Sequence, residues 1–586
     1  MLTRSYMTTE SNKKLVAYTP MLHSRLFSET EKFRSNAFLP VRTPLAAKPE
    51  FPYTGSEADL YLDGNPAIDR PLFVQFCANE PEVLLKAAEY VAPFCDAVDL
   101  NLGCPQGIAK KGAYGSFLQE NQELIYRLIN ILHLNLAVPV TAKIRILETK
   151  EKTLEYAMRV LKAGASILTV HGRVRDAKGH KTGLADWGYI RYLRDNLPKE
   201  TVIFANGNIL QHKDIEKCLE ATGADAVMSA EGNLYDPAIF AEPPAVGEEG
   251  HFYWRGIDGK GGFRMDDAMR RYISILYKYV LEKPEPVRKP LYIPGQKATE
   301  EPQSDEEGPA RKRVKMDNCA EVTRANGATA AEVRAVKAQE KHAQKKQRER
   351  VSNPNLTPMQ AHCFHMLRAL VNKHHNVRDA LAKSRAGDIE AYENVLSMVE
   401  EAVEKGIREY EATNGESYHV EFAVKPEEKG PLIDTFVPAL TKEGDMEDGA
   451  ITKVPTEKAA VADPAAVVDA ANVAADDFAA EAPSADYQTS VKAVEECRRP
   501  WWVCQPYVRP LPVEAVLNGS LTLSKKEMEN LTQEEKEKAM NRGMYKNAPG
   551  AVQLSKKEQK RLRKEEAKKS AKARNAGQEN EVTLEQ

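Results

Sequence analysis

DAVDLNLGCPQGIAKKGAYGSFL, residues 96–118, decides how the rest of the chain is read. Asp96–Asn101 is a short β-type run that stops at once in a basic loop carrying Gly103, Cys104 and Pro105, then Gly107, Gly112 and Gly115. The same strand-then-loop unit recurs outward in both directions. LVAYTPM (15–21), PLFVQFC (71–77), VPVTAKIRI (138–146), SILTVHG (166–172), TVIFANG (201–207) and ADAVMSA (224–230) are the other strand candidates. Between them PEVLLKAAEYVAPF, ENQELIYRLINILHLNL, TLEYAMRVLKAGA and HKDIEKCLEATGA have helical period. Apolar strands alternating with amphipathic helices predict a parallel sheet covered by helices, an α/β fold. Gly164 and Gly223 follow helix ends, where glycine accepts the left-handed cap conformation. Seven strands with polar or glycine-bearing exits are nearest to a (β/α)8 TIM-type barrel that lacks its first strand. A doubly wound open sheet is the alternative, and the absence of G-x-G-x-x-G weighs against it.

The chain has 586 residues, too many for one core, so one large domain with additions is expected. Its net charge of −3 hides strong local segregation. Eight cysteines without a C-x-x-C pair argue against a disulfide framework and a structural zinc site, and point to a reducing compartment. No metal site is expected. No apolar run approaches the roughly 20 residues of a membrane span, and MLTRSYMTTESNKK lacks the apolar stretch of a secretory signal. The sequence divides into a polar N-terminus (1–12), a barrel (13–255) and a helical domain (256–285 with 357–412). That helical domain is split by a charged, disordered insertion (286–356). Residues 413–586 read as largely disordered, acidic then basic. They are interrupted by the aromatic segment RRPWWVCQPYVRPLP (498–512), which reads as a small docking segment with no target legible in the sequence.

In a parallel barrel the strand exits converge on one face. Here they carry Gln75, Asn101 with Cys104, Lys143 with Arg145, His171, Asn206 with Gly207, and Ser229 with Glu231. The set holds amides, two cations, an imidazole and a thiol, but no carboxylate pair for glycoside hydrolysis. Lys and His beside an electron-rich ring, with a thiol as proton donor, suit a flavin redox site. The turns FANGNI and MSAEGN follow late strands, where backbone N–H groups often cradle phosphate. Each residue has a plainer reading. A cysteine after a strand is ordinarily a small packing residue, and a lone histidine there is often just hydrogen-bonded. A free thiol, pKa roughly 8.5, is mostly protonated at neutral pH and suits a general acid as well as a nucleophile. Lys143 is harder to dismiss, because lysine is rarely buried unpaired. Alternation along VTAKIRI puts Lys143 and Arg145 on one face.

DLNLGCPQGIAKKGAYGSFL, VTAKIRI, LTVHGR, IFANGNI and VMSAEGNLYDPAIF together resemble the tRNA-dihydrouridine synthase family, from YTPMLHSRLF onward over roughly 18–245. YTPM, VQFCAN, NLGCPQ and MSAEGNL most resemble the eukaryotic branch acting on positions 16 and 17 of the tRNA D-loop. The resemblance implies bound FMN, reduced by NADPH or NADH, giving a hydride to C6 of uracil while a cysteine protonates C5. On that reading Cys104 is the acid, Gly103 allows close backbone approach and Pro105 fixes the loop's direction. Asn101 and Arg145 hold the uracil, Lys143 and His171 contact the flavin, and Gln75 hydrogen-bonds its ring. Asn206, Gly207 and Asn208, with Ala230 and Glu231, lie along the ribityl phosphate. The helices after 260 become the tRNA-binding domain, where Arg270, Arg271, Lys373, His374 and His375 either meet phosphates or form a solvated face. The basic tail SKKEQKRLRKEEAKKSAKAR (555–574) suits sequence-independent RNA affinity.

The sequence departs from the family in two places. Many relatives carry Gly-Arg where Ala230–Glu231 stands, so the phosphate is expected to rest on backbone amides. The family's first βα unit, with an Ala-Pro-Met phrase, should precede YTPM, yet only the short, mostly polar MLTRSYMTTESNKK stands before Leu15. Two unpaired sheet edges and poor FMN retention or poor folding are expected to follow. The readings that compete are a non-catalytic tRNA-binding protein on a truncated barrel and a dihydroorotate-type dehydrogenase acting on free pyrimidine. PARKRVKMD (309–317) places Arg311, Lys312, Arg313 and Lys315 in one cluster, a candidate ligand for a nuclear import receptor, so nucleus, cytoplasm or both are expected.

Overall fold

Period-two alternation builds the sheet. In the computed structural model, which describes residues 1–43, 45, 47–295, 353–418, 490–512 and 515, the strands β3 (Leu72–Cys77), β4 (Ala97–Leu102), β5 (Val140–Arg145), β6 (Ile167–His171), β7 (Val202–Asn206) and β8 (Ala226–Met228) follow one another in parallel order. Two short pieces, β1 (Ala17–Tyr18) and β2 (Leu22–His23), both pair with β3. They are the halves of one edge strand, broken where Pro20 has no N–H to give to a ladder. The Thr19 hydroxyl takes the Gln75 N–H at the break (3.0 Å). The seven strand segments read from the sequence are therefore all present. The sheet curls into a half-barrel, and neither the outer edge of β1 nor that of β8 has a strand partner among the described residues.

One face of each strand is apolar and meets the helices Pro81–Val91, Gln122–Asn135, Lys150–Lys162, Trp187–Asn196 and Lys213–Thr222. Val74, Phe76, Val98, Leu100, Leu102, Ala142, Ile144, Leu168, Val170, Ile203 and Ala205 are buried in this layer, each large side chain contributing about 1.5–3 kcal/mol. The alternate residues Gln75, Asp99, Asn101, Thr141, Lys143, Arg145, Thr169, His171 and Asn206 are polar. Register sets them side by side: Gln75 opposite Asp99, Asn101 opposite Lys143, Arg145 opposite His171, and His171 opposite Asn206.

The N-terminal residues touch both sides of the opening between β1 and β8. Arg4 donates to Pro71 O (2.8 Å) at the entry to β3, and Thr3 donates to Asn233 Oδ1 (3.1 Å) in the helix after β8.

A second core forms around the helices Met265–Ile275, Met359–Met366 and Ile389–Ala412. Its composition corrects one expectation and supplies a target for another. Residues 286–295 were expected in the disordered insertion, yet Arg288 pairs with Glu393 (2.7 Å) and Tyr292 donates to Glu411 (2.6 Å). The aromatic segment docks within its own chain: Trp501, Trp502, Val503 and Cys504 are buried in this core. Met265 N donates to Trp502 O (2.9 Å) and Cys504 N to Phe263 O (2.8 Å). Arg270 and Arg271 are committed inside the fold, to Glu400 and to Asp267, rather than offered to phosphates. Lys373 and His374 lie against Trp501, and His375 is exposed. The cluster Arg311, Lys312, Arg313, Lys315 and the basic tail lie outside the described residues. No described helix is long and apolar enough to cross a membrane.

Candidate functional site

The site begins at a buried carboxylate the sequence analysis passed over. Asp99 is fully buried and accepts from Thr141 Oγ1 (2.6 Å) and Gln75 Nε2 (2.8 Å). Gln75 Oε1 accepts from Asn101 Nδ2 (2.8 Å), and Asn101 Oδ1 accepts from the backbone N–H of Gly103 (3.0 Å) and Cys104 (2.9 Å). One end of this relay can only accept and the other can only donate, so the orientation of both amides is fixed. Asn101 is left with one free N–H, which suits a carbonyl oxygen. Gln75 is left with one N–H and one lone pair. Burial raises the pKa of Asp99, against the Thr141 and Gln75 hydrogen bonds that favour its charged form.

The loop after β4 is held from three sides. Cys104 O accepts from Ser116 N (3.1 Å) and Oγ (2.9 Å). Arg145 Nε donates to Gly103 O (2.8 Å), and its Nη1 donates to Val174 O (2.9 Å) and Ala177 O (3.2 Å) in the loop after β6. The glycine this loop requires is Gly115 rather than Gly103: Gly115 has φ +64°, and a Cβ there would lie 2.8 Å from Cys104 O. A Cβ on Gly103 would meet nothing closer than 3.5 Å. Cys104 itself is half-buried.

Cations crowd the next strands. Lys143 Nζ donates to Asn206 Oδ1 (3.0 Å), while Asn206 Nδ2 donates to Met228 O (2.9 Å). Burial, then the Arg145 charge, pushes the Lys143 ammonium down to about 8. His171 is held neutral by burial, then by Lys143, Arg145 and Arg173. Arg173 Nη1 donates to His171 Nε2 (2.9 Å), leaving the ring proton on Nδ1. Asn208, expected along a phosphate, is engaged elsewhere: its Oδ1 accepts from Arg173 Nη2 (2.9 Å) and Ala185 N (2.9 Å), and its Nδ2 donates to Ala185 O (2.9 Å). Gly207 has φ +114° and accepts from Trp187 Nε1 at its carbonyl (3.1 Å). Ala230 precedes the helix Glu231–Tyr235, and Glu231 is paired with Arg509 (2.6 Å).

The structure thus brings Gln75, Asn101, Cys104, Lys143, Arg145, His171 and Asn206 together at the carboxyl ends of neighbouring strands. Three participants were missed. Asp99 shares the face of Asn101 by alternation and was legible, as was Arg173, two residues after His171. Nothing local announces Arg509.

A parallel half-barrel with amides, cations and a thiol at its strand exits defines a barrel protein of the (β/α) class, with its site on the carboxyl-end face. Within that class the chain belongs to the dihydrouridine synthase family. The family described as Dihydrouridine synthase (Dus) matches residues 2–252. The chain is 55% identical over 261 residues to the tRNA-dihydrouridine(16/17) synthase [NAD(P)(+)] of Saccharomyces cerevisiae, covering 44% of this chain and 54% of that protein. Identity to the protein of the same name in Schizosaccharomyces pombe is 51% over 267 residues, covering 46% and 58%. An uncharacterized tRNA-dihydrouridine synthase-like protein of Caenorhabditis elegans is 33% identical over 229 residues, covering 39% of this chain and 70% of that one. The chain spans somewhat more than half the length of the two yeast relatives.

Proposed function

We propose that the chain reduces uridine to 5,6-dihydrouridine in the D-loop of tRNA, at positions 16 and 17, using FMN recharged by NADPH or NADH. The observation that carries this reading is the meeting of Cys104, Asn101 and Arg145 with the half-buried cations Lys143 and Arg173. The donor set fits a flavin nucleotide: among the described residues, the hydrogen-bond acceptors of Lys143 and Arg173 are all neutral groups. Lys143, His171 and Gln75 would hold the ring, with Asn206 and Gly207 along the chain that leads to the phosphate. FMN, when bound, supplies a hydride to C6 of the uracil. The free N–H of Asn101 and the Arg145 guanidinium would donate to the uracil carbonyls, a pattern the 4-amino group of cytosine does not match. Cys104 would give its thiol proton to C5. The thiolate left behind would face Arg145 and Lys143, both of which interact electrostatically with Cys104. A base inside a stack cannot reach this face, so the uridine must be extruded.

The open edges of β1 and β8 favour a second reading, a tRNA-binding protein that holds no flavin. Visible absorption of the purified chain separates the two: oxidised-flavin bands support the synthase, and a colourless folded protein supports the other. Reduction that requires intact tRNA and fails on free uridine excludes a dehydrogenase of free pyrimidines.

A further inference from the structure

Arg173 is a half-buried guanidinium whose hydrogen-bond partners among the described residues are all neutral. It donates to Gly183 O from Nε (3.1 Å) and Nη2 (3.0 Å), to Asn208 Oδ1 (2.9 Å) and to His171 Nε2 (2.9 Å). Among the described residues no carboxylate is hydrogen-bonded to it. A cation held this way is a place where an anion is stabilised.

Beside it lies an ion pair between the helix after β8 and the C-terminal aromatic segment. Arg509 grips Glu231 in a fork, Nε lying 3.1 and 3.2 Å from the two carboxylate oxygens and Nη2 2.6 Å from Oε1. Arg173 is tied to Asn208 in the turn after β7 (2.9 Å), and Ile209 of the same turn accepts from Ser229 Oγ (3.1 Å), two residues before Glu231, so Arg173 and the ion pair sit on neighbouring exits of β6–β8, where their charges act on one another. Barrels of this class commonly hold phosphates there. Arg509 arrives at the end of the aromatic segment. Trp501 and Trp502 are buried in the helical core, and Tyr507 lies 3.8 Å from the Arg368 guanidinium and 5.9 Å from the ring of Tyr235. The segment is therefore seated on fixed contacts, and Arg509 is presented rather than free to wander.

Glu231 alone would oppose a phosphate dianion and cancel Arg173. Paired with Arg509, it leaves the cluster with one net positive charge. We propose that Arg509, delivered by the C-terminal aromatic segment, completes with Arg173 the site for the phosphate of the flavin nucleotide by neutralising Glu231. The proposal rests on the flavin reading above. It makes a segment far from the barrel in sequence part of the cofactor site, and it replaces the expectation that backbone amides alone hold the phosphate.

The test is a titration of the flavin-depleted full chain with FMN and with riboflavin, followed by flavin fluorescence. Arg509→Ala should weaken FMN roughly tenfold, the size of one lost charge acting on a dianion across a water-facing site, and leave riboflavin unchanged. Arg509→Ala with Glu231→Gln restores the same net charge and should recover most FMN affinity. Arg509→Lys should retain it. Equal weakening of both flavins, or of neither, overturns the proposal. Loss of tRNA affinity with FMN affinity intact assigns the cluster to an RNA phosphate and overturns it too. If the wild-type chain binds neither flavin, the cofactor reading itself fails and takes this one with it. If the wild type binds FMN but the charge pattern is absent, only this proposal falls.

Discussion

Lys143 allows a prediction in which stability and cofactor binding move in opposite directions. Its ammonium, ordinarily near 10.5, is pushed down to about 8, so it is still charged at neutral pH. The difference corresponds to about 3 kcal/mol against the folded state. Water reaches part of the side chain in the open cleft, which reduces this to about 2 kcal/mol. Lys143→Met removes that burden and leaves Asn206 Oδ1 without its donor, a loss of about 1 kcal/mol. The flavin-free variant should therefore be more stable than wild type at pH 7 by about 1 kcal/mol, raising Tm by about 2–4 °C. The sign with pH follows from linkage. Folded Lys143 gives up its proton more readily than unfolded Lys143, so wild-type stability rises with pH between about 8 and 10.5. Below that window both states are protonated and the burden is constant. The advantage of Lys143→Met should shrink through the window and reverse within it, leaving wild type the more stable by about 1 kcal/mol at its upper end. FMN should bind the variant more weakly near pH 7, where Lys143 is charged, and the difference should narrow as pH rises past about 8. Urea unfolding of flavin-free protein from pH 7 to 10.5, with FMN titrations alongside, measures all of this. A variant less stable than wild type at pH 7, with a difference indifferent to pH, would refute the reasoning.

Three further outcomes follow from named contacts. Asp99→Asn turns an acceptor into a donor at the head of the amide relay and should lose about 2 kcal/mol in urea unfolding, along with uridine reduction; unchanged stability would show that the relay does not fix the amides. Gly406→Ala, which in an open helix gains about 1 kcal/mol, puts a Cβ 2.5 Å from Trp501 and should instead destabilise by about 1–3 kcal/mol, read as a lower Tm. Arg145→Lys keeps the charge but loses the ties to Gly103 O, Val174 O and Ala177 O, and should slow uridine reduction at least about tenfold with a smaller change in tRNA affinity.

What the sequence disclosed and what it withheld divide by range. Short apolar runs and period-two alternation are local, so the first revealed seven strands of a barrel open at its missing first strand, and the second the shared face of Lys143 and Arg145. Gly164 and Gly223 do take positive φ at helix ends. The break at Pro20 divides the edge strand without changing which side chains it offers, and so left no mark on the strand count. Contacts between distant segments have no such local trace. The aromatic segment reads alone as a docking peptide because its seat, beside Phe263, Met265 and Gly406, lies far away in sequence. Glu231 reads alone as a charge opposed to a phosphate, since Arg509 is 278 residues away. Asp99 escaped notice for a different reason: a search for paired carboxylates passes over a single one whose work is to orient two amides.

The central claim is that Cys104 is the acid of a uridine-reducing site. Its most direct test is the dihydrouridine content, position by position, of tRNA lacking the modification after incubation with the purified chain, FMN and NADPH, for wild type and Cys104→Ala. The account predicts dihydrouridine at D-loop positions 16 and 17 with the wild type and a loss of at least about 100-fold in rate with the variant. Equal reduction by both would remove Cys104 from the chemistry, and no reduction by a flavin-loaded wild type would contradict the synthase reading itself.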